Sequence, residues 1–196
     1  MANYCWNYVS LRGDSKVLKL IKSKFEKYDQ CKYFQEFGNY VLGLGEIGDQ
    51  TWKETQDYYD YGTKWWVFEI EDAVFNDEGT PDDMIINGDS AWSPPVALIE
   101  QMCKKYDISA EMEYEESGMD FAGIVKMDST GIISQEDMTY HEYQYRDDVE
   151  NWTEGLADNY EDCEDVDLEN IYKDHSYASK THLDELINTI KNEKLL

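Results

Sequence analysis

Residues 3–11 read NYCWNYVSL. Aromatic and polar side chains alternate along this stretch, and period-two alternation predicts a first strand. Asp14 or Ser15 then caps a helix whose apolar positions Val17, Ile21, Phe25 and Tyr28 share one face, while lysines occupy the other. YFQEF (33–37) and NYVLGL (39–44) read as further strand-like runs, and GTKWWVFEIEDAVF (62–75) as a strand, central in the sheet, with aromatic bulk on both faces. Ser93, with Pro94 at the first helical position, starts VALIEQMCKKY as a helix buried through Leu98, Ile99, Met102 and Tyr106.

SAEMEYEESGMDFAGIVKM (109–127) predicts a hairpin turning at Glu116-Ser117-Gly118. Its Ala110, Met112 and Tyr114 alternate with Glu111, Glu113 and Glu115, which are expected on the solvent face of an edge strand. ISQEDMTYHEYQY (133–145) supplies another strand, and Thr181-x-x-Asp184 caps a last helix. Strands and helices interleaved with hairpins define an α+β sheet with helices packed on one side.

The spelling Gly43-x-Gly45-x-x-Gly48 matches a dinucleotide fingerprint. The residues after it are polar, and Glu46 and Asp49 place carboxylates where a pyrophosphate would sit, so the glycines are read as a turn between two strands. Cys5, Cys31, Cys103 and Cys163 form no Cys-x-x-Cys pair, and His141, His175 and His182 have no ligand spacing. Asp82-Asp83 and Asp147-Asp148 are the carboxylate pairs a metal-dependent hydrolase would use, without a histidine at useful spacing. No metal and no cofactor is expected.

Charge is the strongest compositional signal. The chain of 196 residues carries a formal net charge of -26, and all its cations but Arg12 and Arg146 are lysines. Such a surface repels nucleic acid and anionic membranes and favours a basic partner. The charge is uneven, with a lysine excess in residues 1–33 and dense acid from Glu142 to Glu169. No apolar run approaches a membrane span, and the start MANYCWNYVSLRG lacks the basic and apolar blocks of a signal peptide, so a cytoplasmic protein is expected.

GTKWW, AWSPP and YEESGMDFAG, together with the Asn3 to Cys5 start, resemble the YubB family of phage and plasmid proteins over about residues 3–127. The resemblance implies a ferredoxin-like antiparallel sheet at 1–141 and a bacterial cytoplasmic setting, and leaves residues 142–196 as an acidic segment and C-terminal helix. It carries over no catalytic residue. Trp65, Trp66 and Trp92 are expected to fill the core.

Different features point to different functions. The acidic run offers a partner surface of Asp147, Asp148, Glu150, Trp152, Glu154, Asp158, Tyr160, Glu161, Asp162, Glu164, Asp165, Asp167 and Glu169. If the run is helical, its carboxylates three or four residues apart would line one side and imitate phosphates, with aromatics as anchors. That predicts a non-enzymatic mobile-element inhibitor of anti-CRISPR or anti-restriction type. It would bind a basic host protein or ribonucleoprotein complex on its nucleic-acid-binding surface. The alternatives are a small-ligand or nucleotide-sequestering module and, third, a metal-dependent hydrolase.

Overall fold

The alternation in residues 3–11 becomes strand β1 (Tyr4–Gly13), with Cys5, Asn7, Val9 and Leu11 buried and Tyr4, Trp6, Tyr8 and Ser10 on the opposite side. The computed structural model describes residues 3–48, 60–74, 82–144 and 146. The chain divides into two units, Met1–Asp137 and Met138–Leu196.

In the first unit, β1 is followed by α1 (Ser15–Phe25), α2 (Phe34–Leu42), β2 (Trp66–Val74), β3 (Asp82–Ala91), α3 (Val96–Tyr106), β4 (Ser109–Glu116), β5 (Phe121–Asp128) and β6 (Gly131–Met138). The antiparallel sheet has the order β2-β3-β1-β4-β5-β6, with the helices on one side. Its first four positions are the split βαβ arrangement of a ferredoxin-like fold, extended by the β5–β6 hairpin.

Asp14 caps α1 by accepting from the Lys16 amide at 2.8 Å, and α1 buries Leu18, Ile21 and Phe25. Phe25 meets Phe37 of α2 edge-on at 5.0 Å and lies 5.0 Å from Phe68 of β2. Trp66, fully buried, lies 5.0 Å from Phe68, so two helices and the edge strand share one aromatic cluster. Offset and edge-on ring pairs of this kind add to the area they bury.

Several sequence expectations change. Residues 34–42 are helix rather than strand, because Phe34, Phe37, Val41 and Leu42 form a helical stripe and Gly38 lets the Tyr61 ring pack against the helix. Gly43 (φ 64) is therefore the left-handed C-cap of α2, not a turn between strands. Strand β2 lies at the sheet edge and β1 occupies the centre, while β4, expected at an edge, lies between β1 and β5. Helix α3 starts at Val96, and Ser93 Oγ instead donates to the Gly62 carbonyl at 2.5 Å. Strand β6 ends at Met138, after which Glu142 accepts from the Thr139 amide at 2.8 Å and residues 140–144 turn helical.

The motif residues hold this frame. Gly62 (φ 88) leaves no room for a side chain beside the Pro94 carbonyl, and Thr63 Oγ1 donates to the Ala91 carbonyl at 2.8 Å. Glu116 receives the Gly118 amide at 2.9 Å and closes the β4–β5 turn. Tyr114 crosses Gly123 of β5 to donate from Oη to Asp137 on β6 at 2.7 Å. Trp66 is core, but Trp92 is 52% exposed with φ 70, and Trp65 is half-buried, so the expected tryptophan core holds for one residue of three.

A Cβ on Gly123 would overlap the Tyr114 hydroxyl and approach the Glu136 carbonyl at 2.8 Å. Gly123→Ala should therefore cost about 1–3 kcal/mol by overpacking. Chemical denaturation of the double-mutant cycle with Tyr114→Ala checks this, because the penalty shrinks once the ring is gone. An unchanged penalty would place the strain elsewhere.

Candidate functional site: the open face of the sheet

The face opposite the helices is built by the second half of each strand's alternation. On β1 it carries Tyr4, Trp6, Tyr8, Ser10 and Arg12. Registry places Asp89 of β3 and Glu115 of β4 on the two flanks of Trp6, and Asn87 and Glu113 on the flanks of Tyr8. Outside these, Val67, Glu69 and Glu71 of β2 pair with Asp89, Asn87 and Ile85, and Glu111 faces Lys126 of β5.

An aromatic file thus runs down the middle strand with carboxylates on both sides. The Trp6 and Tyr8 rings are stacked, with centroids 6.3 Å apart and an interplanar angle of 26°. Tyr4 meets Trp65 edge-on at 5.4 Å at one end of the file, and Val67 is 64% exposed beside them. At the other end, Arg12 Nε donates to Asp83 at 2.9 Å, and Lys126 pairs with Glu111 at 2.9 Å.

The field of this face is negative. Desolvation raises the Tyr8 phenol above its ordinary value, and Glu113, Glu71 and Asp83, from three different strands, push it in the same direction against Arg12. Asn87 Oδ1, closed off from solvent, accepts no hydrogen bond among the described residues. Aromatic rings on an open four-stranded sheet are how RNA-binding sheets stack bases, but those sites need cations for the phosphates. Carboxylates in their place repel a nucleic acid and attract a cation.

Elsewhere among the described residues, chemistry is sparse. Among the described residues no three His, Cys, Asp or Glu side chains converge to hold a metal ion. Asp83 is engaged by Arg12. Burial pushes the thiols of Cys5 and Cys103 up to about 12 and that of Cys31 up to about 11, which suppresses the thiolate a nucleophile requires. No described helix is long and apolar enough to cross a membrane.

The residues singled out in the acidic run, Asp147, Asp148, Glu150, Trp152, Glu154, Asp158, Tyr160, Glu161, Asp162, Glu164, Asp165, Asp167 and Glu169, lie outside the described residues. Composition drew attention to that run and away from the sheet face. The signal for the face was present in two places, the Tyr4-Trp6-Tyr8 alternation and the Glu111-Glu113-Glu115 alternation. What was missing was the topology that sets β1 beside β4.

Fold and face together define a ferredoxin-like protein with an acidic, aromatic-centred open sheet. A family model described as the ferredoxin-like domain in Api92-like protein matches residues 49–167, and the chain belongs to that family. The match begins after β1, α1 and α2 and extends through most of the acidic run. No curated protein and no solved structure matches the chain.

The raised thiol values give a pH dependence. Below pH about 9 the thiols of Cys5 and Cys103 are protonated in both folded and unfolded chains, and they contribute no slope. As pH climbs from about 9 towards 12, the unfolded chain releases protons that the fold retains, so stability falls. Urea midpoints should be flat for these groups below pH 9 and decline above it. Iodoacetamide mapping at pH 8 should leave Cys5 and Cys103 unmodified in the folded chain. Labelling at the rate of a free thiol would contradict their burial.

Proposed function

We propose that the protein is a non-enzymatic interaction protein that occupies the basic, nucleic-acid-binding surface of another protein, as an acidic mimic of nucleic acid. The observation that carries this reading is the open sheet face, where Trp6 and Tyr8 stand between the carboxylate-bearing strands β3 and β4. Aromatic anchors surrounded by charge are the composition of an interface hot spot and its rim. The sign of that charge selects a cationic partner and speeds its encounter.

The acidic run from Asp147 to Glu169 adds carboxylates of the same sign. We place the partner among nucleic-acid enzymes or ribonucleoproteins of a bacterial host defence, because their Lys and Arg arrays are built to hold polyanions. A phage or plasmid inhibitor acting in the host cytoplasm is the setting that joins this surface to the resemblance of its motifs.

The sheet face and the acidic run are separable by mutation. The tagged full chain is passed through nuclease-treated bacterial lysate, and a captured, identified nucleic-acid-binding protein is then challenged with salt and duplex DNA. Retention should fall steeply between 50 and 200 mM salt, by at least about tenfold, and added DNA should displace the partner. Replacing the 147–169 carboxylates by amides should weaken capture. A captured partner that holds DNA and this protein at once, without competition, would contradict mimicry.

A further inference from the structure

We propose that the open sheet face is an arginine reader: an extended, arginine-bearing segment of the partner lies across β3, β1 and β4 and sets guanidinium groups on the rings of Trp6 and Tyr8. This rests on the proposed function and deepens it, because it names the side chain that the acidic face selects.

The geometry supplies both halves of a guanidinium site. Trp6 and Tyr8 project from the same side of β1 with nearly parallel rings, 6.3 Å apart and 26° from coplanar. A cation within about 6 Å of such a ring is attracted to its face. The flanking strands lie about 4.8 Å away, so carboxylates at the paired positions reach a group resting on the rings. Those positions hold Asp89 and Glu115 beside Trp6, and Glu113 beside Tyr8.

The same strand shows the pairing in miniature. Arg12, on the same side of β1, donates from Nε to Asp83, its direct partner on β3, at 2.9 Å. Six positions earlier the pattern repeats with Trp6 opposite Asp89, where the face offers the carboxylate and an aromatic platform but its own strand supplies no arginine. Charge complementarity therefore selects a cationic occupant. It disfavours a second copy of a chain with net charge -26 and any nucleic acid.

Arginine fits better than lysine. A guanidinium is planar, weakly hydrated and forked, so it stacks on a ring while donating sideways to two carboxylate oxygens. An ammonium is compact and strongly hydrated, and it gains less from the ring.

The test uses the full chain and two fluorescein-labelled peptides of equal length and charge, one alternating arginine with serine and the other lysine with serine. Anisotropy at 0.15 M salt should show the arginine peptide binding at least about tenfold more tightly. Trp6→Leu and Tyr8→Leu keep apolar bulk but remove the ring face, and thermal melts establish that each variant folds. Each should lower arginine-peptide affinity towards the lysine value while leaving the lysine peptide within about twofold. Equal, salt-sensitive binding of both peptides by the unmodified chain overturns the arginine reader and leaves the acidic-mimic reading standing. Binding of neither peptide overturns both. An arginine preference that survives both leucine variants places recognition elsewhere and overturns the inference.

Discussion

Strand β1 is paired along both of its edges, to β3 from Tyr4 to Gly13 and to β4 from Trp6 to Arg12, and the other elements take their places from that double pairing. A strand held on both sides cannot slip by one residue without sending Cys5, Val9 and Leu11 to solvent and Trp6 and Tyr8 into the core. Asn7 reinforces the register from within. Its buried Nδ2 lies 2.7 Å from the Cys5 carbonyl and 2.8 Å from Ser90 Oγ, and Ser90 in turn donates to the Ser93 carbonyl at 2.8 Å. A buried polar network of this sort is stabilising only when its donors and acceptors meet, which ties β1 to the segment leading into α3.

This double pairing also divides labour between the two faces. Helices α1, α2 and α3 cover one side and bury Leu18, Phe37, Leu98 and Met102 against β1 and its neighbours. The other side is left to aromatics and carboxylates. Motifs that look chemical in the sequence, Gly62-Thr63, Ser93-Pro94 and the Tyr114 to Gly123 hairpin, act on the frame by satisfying backbone groups or admitting a close neighbour. The family match over 49–167 omits the central strand, so the ferredoxin-like sheet of this chain is completed by residues that precede the matched region.

Much of the fold was legible in the sequence because β1, α1, α3 and the β4–β5 hairpin each carry a clean period. Asp14 is the cap its position suggests, and Ala110, Met112 and Tyr114 face inward as their alternation requires. Residues 34–42 misled because Phe34, Phe37, Val41 and Leu42 are apolar enough to suit either period, and Gly38 argues against a helix until Tyr61 is seen packing on it. Which strand is central was not legible, since strand order is a matter of long-range pairing. For the same reason the two alternations that build the open face did not reveal it: Trp6 and Glu115 are distant in sequence and adjacent in the sheet. Net charge is legible from composition, and only topology gathers that charge around an aromatic file.

The proposed binding on the open face, with the other face of the sheet covered by helices, has a direct spectroscopic reporter. The indole Nε1–H signals distinguish the two faces, because Trp6 lies on the open one whereas Trp66 is fully buried in the helix-covered core. Titrating the isotope-labelled chain with the alternating arginine peptide should shift the Trp6 indole resonance in proportion to saturation and leave that of Trp66 in place. A saturable shift of Trp66 with an unmoved Trp6 would contradict binding on the open face.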